Sequence, residues 1–209
     1  SPVTAHGVYV GMKACAKQQF GSDSLSGKKI AVQGVGHVGE YLVASLAKEN
    51  AEIYISDIHE PTLKRVAEQY GAKVVGLDEI YDIDMDIYAP CALGATVNDD
   101  TLSRLKCSII AGAANNQLKV EGVHGLAVMQ KGMIYAPDFA INAGGVINVG
   151  AEYYGDYHEE TVFAQTEKIY DTCLSILEKS ENEKIPAQQA AIEAAKARIE
   201  SIGRVKLPF

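Results

Sequence analysis

Residues 28–39 read KKIAVQGVGHVG: a short apolar run, Ile30 to Val32, enters a turn with glycine at positions 34, 36 and 39, and helix-forming residues follow. Each glycine has a separate physical reason in such a strand–turn–helix. Gly34 permits the tight turn. Gly36 leaves the backbone bare so that a pyrophosphate can approach it, and Gly39 lets helix and strand pack closely. The start of the following helix then offers unpaired N–H groups and a positive dipole end to an anion.

A GxGxxG pattern alone is weak, because glycine is common, but the context agrees on three sides. An apolar strand precedes it, a helical stretch from His37 to Asn50 follows, and the next strand, EIYIS at 52–56, runs into Asp57, 18 residues after Gly39. A carboxylate there accepts hydrogen bonds from both hydroxyls of an adenosine ribose. It repels a 2′-phosphate, and Ile58, His59 and Glu60 bring no arginine, so NAD is expected over NADP. The alternative is a plain β-turn-α in which Asp57 caps the next helix.

Further out, short runs rich in β-branched and aromatic residues alternate with helical ones. After the two strands already placed come KVV (73–75), MDIYAP (85–90), CSIIAG (107–112) and MIYAP (133–137). Such alternation predicts a doubly wound α/β fold of Rossmann type, with a mostly parallel sheet and additional C-terminal helices. The chain is read as one dinucleotide-binding domain, 1–209: an N-terminal helix over 1–20, a Rossmann core over 28–140 and C-terminal helices over 142–203. Thr4 is expected to cap the first helix, with Val8, Met12 and Cys15 on one face and Gly21 at its end. Pro61 suits the first turn of a helix that stops near Gly71. From Thr161 to Leu177 the apolar residues Val162, Phe163, Ile169, Tyr170, Cys173, Leu174 and Leu177 form one helical stripe. Pro186 opens a last helix with Ile192, Ala195, Ile199 and Ile202 on one face; whether it covers the sheet or another domain stays open.

A composition with 47% hydrophobic and 22% charged residues fits an ordinary globular protein. The net charge of −8 argues against nucleic acid or an anionic membrane as partner. Cys15, Cys91, Cys107 and Cys173 are widely spaced, which predicts reduced thiols in a cytoplasmic protein. The chain begins at Ser1, which initiator removal or excision from a longer chain would explain.

No metal site is expected. His6, His37, His59, His124 and His158 are scattered, and Asp82, Asp84 and Asp86 lack the glycine and glutamate of a calcium loop, so they read as a solvated turn. Cys91, followed by Ala92, reads as a packed thiol beside the crevice rather than a nucleophile, since no base accompanies it. Asn142 precedes Gly144 and Gly145 at the start of a helix. Its amide can sit at an anion-binding mouth, or it can serve as an N-cap. Val146 and Val149 share a face of that helix.

Five segments in order, SPVTAHGVYVGMKA (1–14), AVQGVGHVG (31–39), APCALG (89–94), IAGAANNQL (110–118) and YAPDFAINAGGVINV (135–149), resemble the second domain of the Glu/Leu/Phe/Val dehydrogenases, and within that family most its leucine-specific members. The likeness runs from Ser1 to about Tyr154, and more loosely beyond. It implies reversible NAD-dependent oxidative deamination of an L-amino acid to a 2-oxo acid and ammonia, in a two-domain, homo-oligomeric enzyme. Thr4 would then hold the nicotinamide carboxamide, and Gly34, Gly36, Val38 and Gly39 would surround the pyrophosphate. Asp57 would bind the ribose, and Cys91 and Ala92 would line the crevice. Ala113, Ala114 and Asn115 would border the nicotinamide end, and Asn142 would touch substrate. Val146 and Val149 would line the side-chain pocket, where two valines favour a branched-chain amino acid over glutamate. The lysines that the family's chemistry needs have no counterpart here, so no catalytic residue is expected on this chain; they are expected on an N-terminal catalytic domain outside it. The alternatives are a phenylalanine- or valine-specific relative, or a non-catalytic NAD-binding or redox-sensing module.

Overall fold

The computed structural model describes residues 1–153, 155 and 157–203. A helix α1 (Pro2–Phe20) precedes the sheet. Then β1 (Lys29–Gln33), α2 (His37–Lys48), β2 (Glu52–Ser56), α3 (Glu60–Tyr70) and β3 (Lys73–Val74) form one half. A 3₁₀ turn over Glu79–Tyr81 leads to β4 (Ile87–Pro90), α4 (Asp99–Arg104), β5 (Ile109–Ile110), α5 (Glu121–Gln130) and β6 (Ile134–Tyr135). The helices α6 (Asp138–Ile141), α7 (Gly144–Tyr153), α8 (Glu159–Glu167), α9 (Ile169–Glu183) and α10 (Ala187–Gly203) follow.

The six strands pair in parallel in the order β3-β2-β1-β4-β5-β6. Strands buried on both faces need apolar residues at every position, and their period of two sorts them between two cores. Ile30, Val32, Ile87, Ala89 and Ile109 join the core beneath α1, α2 and α9. Ala31, Tyr88 and Ile110 join the opposite core with Ile80, Leu102 and Val128. Chain order reverses direction between β1 and β4, so the carboxyl ends of these strands flank a crevice. The register pairs Gln33 with both Ser56 and Pro90, which puts Gly34, Asp57 and Cys91 in one row along that edge.

Some expectations are corrected. Thr4 is not the cap of α1: Ser1 occupies that place, with Pro2 opening the helix, because proline is preorganised for the first turn. The stripe from Thr161 to Leu177 belongs to two helices, which meet at Lys168 through a tight Lys168 N–H to Gln165 bond of 3.2 Å. Val162, Ile169, Cys173 and Leu177 are still buried, so the break bends the stripe around the core without exposing it. On α10 the buried residues are Ala187, Gln188, Ala190 and Ala191, while Ile192, Ala195 and Ile199 are exposed; the side chain of Ile202 lies outside the described residues. Pro61 and Gly71 stand where expected, the latter left-handed at φ 68°. The four cysteines are unpaired.

Candidate functional site

The floor of the crevice is the glycine turn. Gly34 has φ 97°, a left-handed conformation, and a Cβ there would lie 2.6 Å from the Ala92 methyl. At Gly39 a Cβ would fall 1.9 Å from the Gly34 carbonyl oxygen, so only glycine lets α2 start so close to the turn. Gly36 differs from both. Its φ of −67° suits any residue, and a Cβ there would meet no heavy atom within 4 Å. The protein's own packing therefore does not require glycine at this position.

Gly36 is the N-cap of α2 and supplies no side-chain cap, so the first N–H groups of the helix stay open to the crevice. Glu40, in the first turn, would oppose an anion there. It is neutralised by Arg65 through two bonds of 2.6 and 2.7 Å, which hold its carboxyl below the usual glutamate range despite partial burial.

Asp57 does not cap α3; His59 does, its Nδ1 accepting the Thr62 N–H at 3.3 Å. One Asp57 oxygen accepts the Val35 N–H at 2.7 Å and the other the His59 N–H at 2.8 Å. The carboxylate is thus fixed beside the glycine turn, with a further lone pair on each oxygen for a ligand. Val38 packs its side chain into the core under α2.

The far wall follows β4 and β5. Cys91 continues the pairing of β4, its N–H donating to Gln33 at 2.7 Å. Burial pushes its thiol up to about 12, against a smaller opposing bond to the Ala113 backbone, so it is a neutral packing group at physiological pH. Ala92 is exposed on the rim. Ala114 donates its N–H to the Pro90 carbonyl at 2.9 Å, and the buried Gln117 amide donates to the carbonyls of Gly112 and Ala114. The Asn142 amide donates to the Ala113 carbonyl at 3.1 Å and to Asn115 Oδ1 at 2.7 Å. Asn142 therefore braces this rim with its side chain. Towards α7 it bonds only through its backbone, its carbonyl accepting the Gly145 N–H at 3.2 Å.

At the open end, a Cβ on Gly144 would lie 2.4 Å from the Val3 carbonyl oxygen, and one on Gly145 would lie 3.2 Å from the Thr4 hydroxyl. The start of α7 thus sits against the first turn of α1, and Thr4 faces the Asn142–Gly145 segment. Several of the sequence-selected residues follow one another in a line along the crevice: Asp57 bonds beside Gly34 at Val35, Gly34 lies against Ala92, Cys91 meets the Ala113 backbone, Ala113 and Asn115 take the Asn142 amide, and Thr4 lies against Gly145. Val146 and Val149 are not in that line. They project from α7 with 77% and 62% of their surface exposed.

Two rim residues escaped the sequence reading. Asp138, first in α6, accepts the Asn116 N–H, and Gln117 shapes the loop from beneath. Asp138 and Asn142 are four residues apart and so share a helical face; that spacing was the available signal. The remaining candidates are structural. Asp82 pairs with Arg104, Asp84 with the Lys29 ammonium, and Asp86 accepts the Lys29 N–H. His124 is a core residue that accepts the Val120 N–H through Nδ1.

These features define a Rossmann-type α/β domain of the dehydrogenase kind, built around the carboxyl edge of a 3-2-1-4-5-6 sheet. The chain belongs to the Glutamate/Leucine/Phenylalanine/Valine dehydrogenase family, whose model matches residues 54–205. It is 53% identical over 209 residues to leucine dehydrogenase of Bacillus subtilis, covering 100% of this chain and 57% of that protein. The crystal structure of L-tryptophan dehydrogenase from Nostoc punctiforme superposes with a TM-score of 0.94 at 43% identity, over 98% of this chain and 61% of that one. The hetero-hexameric glutamate dehydrogenase from Thermus thermophilus (TM-score 0.75, 18% identity, 100% of this chain and 55% of that one) shares the fold. The chain thus spans little more than half the length of the relatives it matches. Among the described residues, no helix is long and apolar enough to cross a membrane.

Proposed function

We propose that this chain is the NAD-binding part of an amino-acid dehydrogenase that deaminates an aliphatic, branched-chain L-amino acid to its 2-oxo acid. One observation carries the dinucleotide reading: Gly36 is a glycine that neither backbone nor packing requires, at the uncapped start of α2. A ligand that comes against the bare backbone supplies the missing reason, and a pyrophosphate fits the open N–H groups. Asp57, already oriented by Val35 and His59, takes the adenosine ribose hydroxyls and disfavours a 2′-phosphate.

A nicotinamide held at the 113–115 rim would supply the acceptor for a hydride from the substrate Cα. This chain's residues orient the reactants. Ala113, Ala114 and Asn115, braced by Asn142, border the nicotinamide end. Thr4 lies across from Gly145, where its hydroxyl can meet the carboxamide. Val146 and Val149 present hydrocarbon to the substrate side chain, which favours leucine-like substrates over glutamate because a carboxylate set against them would lose hydration without a partner. Cys91 and Ala92 pack without chemical participation. The proton-transferring lysines are proposed to lie in the part of the relatives' length that this chain does not span, and homo-oligomeric assembly, a cytoplasmic setting and independence of nucleic acid and membrane are proposed with them.

A larger, aromatic substrate is the second reading, favoured by the likeness to a tryptophan dehydrogenase. The test of the cofactor reading is calorimetric titration of this chain with NAD and NADP. Tighter binding of NAD is expected, and equal or tighter NADP binding overturns it. Substrate class is decided by kcat/KM for leucine, tryptophan and glutamate in the full-length enzyme.

A further inference from the structure

The rim loop after β5 is exposed at Asn115 and Asn116, and Asn116 is left-handed at φ 52°. Asparagine tolerates that conformation better than other side chains do, and the bonds around Asn116 select it here. The Asn116 peptide is held from both sides. Its carbonyl accepts the Ala95 N–H at 2.7 Å, and Ala95 is itself left-handed at φ 58°. Its N–H donates to the carboxylate of Asp138. One turn along the same helix, Asn142 reaches Ala113 and Asn115. The short helix α6 therefore grips the loop at 113, 115 and 116, while Ala114 is tied to Pro90 and Gln117 supports the loop from below.

We infer that Asp138 is a positioning residue: by accepting the Asn116 N–H it fixes the 113–116 rim, and through Asn115 the Asn142 amide, in the arrangement that receives the nicotinamide end of the dinucleotide. The inference rests on the dinucleotide reading above. Asp138 itself need touch neither cofactor nor substrate. Its charge strengthens the bond it accepts, and that bond is the side-chain restraint on Asn116 in a loop otherwise open to water. Truncating Asp138 frees the Asn116 peptide to leave the left-handed region. Asn115 then loses its register with Asn142, while the glycine turn and Asp57, on the other side of β4, keep theirs.

The experiment separates the two ends of the ligand. The wild-type chain, Asp138→Ala and Asp138→Asn are titrated calorimetrically with NADH and with ADP-ribose, which lacks the nicotinamide. Hydrogen exchange at the Asn116 amide is read alongside. Wild type should bind NADH more tightly than ADP-ribose. Asp138→Ala should lose roughly tenfold in NADH affinity, the scale of one lost charge-assisted bond, with ADP-ribose binding unchanged within about twofold and Asn116 exchange accelerated. Asp138→Asn, whose Oδ1 still accepts the N–H, should recover most of the difference. Equal losses for both ligands, no loss for either, no wild-type preference for NADH, or an Asn variant no better than Ala each overturn the positioning role. Failure of the wild-type chain to bind ADP-ribose refutes the dinucleotide reading itself, and the positioning role with it.

Discussion

Replacing Gly36 by alanine separates a glycine kept for a ligand from one kept for the fold. The added methyl has no neighbour within 4 Å, and φ −67° is open to alanine. Two small terms oppose each other: the stiffer unfolded chain gains about 0.4–1 kcal/mol, and alanine is the poorer N-cap by up to about 1 kcal/mol. The net change stays within about 1 kcal/mol, or roughly 2–4 °C in Tm for a chain of this size. Gly39→Ala is the contrast. Its methyl would lie 1.9 Å from a backbone oxygen that no rotamer change can move, at a cost of about 1–3 kcal/mol or more and a fall in Tm of roughly 2–12 °C. Toward a dinucleotide the two should diverge. At Gly36 the methyl would take the space proposed for the pyrophosphate, and overpacking of about 1–3 kcal/mol is roughly 5- to 150-fold in Kd. Scanning fluorimetry with and without NADH, with titration calorimetry for affinity, reads both quantities. A Gly36→Ala chain that melts well below wild type without ligand, or that binds NADH as tightly as wild type, refutes the reasoning.

Asp57→Ala should weaken NAD and narrow its advantage over NADP, since the repulsion of a 2′-phosphate disappears; an unchanged ratio in the same titration would place the selectivity elsewhere. Val149→Ser in the full-length enzyme should lower kcat/KM for leucine, and leucine should exceed glutamate in the parent enzyme; no effect on any aliphatic or aromatic substrate would put Val149 outside the pocket. Glu49 accepts bonds from Tyr9 Oη, the Leu25 N–H and Lys13 Nζ at 2.5, 2.9 and 3.1 Å. Burial raises its carboxyl and these bonds together lower it further, so the net shift is downward. A carboxyl lowered on folding stabilises fully above its unfolded value and loses that contribution as pH falls through the folded one. Glu49→Gln should therefore cost about 1–3 kcal/mol near neutrality, and the gap between the two melting curves should close in acid; a gap independent of pH would refute the charge's role.

The sequence by itself determined the class of fold, and it marked out the glycine turn and Asp57, which the structure brings together through the Val35 N–H. Gly34, Gly39 and Asp57 answer to local geometry, a turn, a close approach and a strand end, and local geometry leaves a fixed spacing in the chain. Strand positions were legible for a related reason: strands covered by helices must be largely apolar, and such runs stand out, while β3 at the sheet edge is exposed at both residues. Helix ends and breaks were less legible. Ser1 rather than Thr4 caps α1 because Pro2 set the start, and the break at Lys168 leaves the apolar periodicity intact on either side. Only the tertiary structure decided how the rim is held. Asp138 and Asn116 are 22 positions apart, and Asn142 and Ala113 are 29 apart. No local rule links such pairs; they meet because β5 and β6 lie side by side and α6 starts where β6 ends. The structure also showed that Gly36 has room beside it, a fact about empty space that no order of residues can carry.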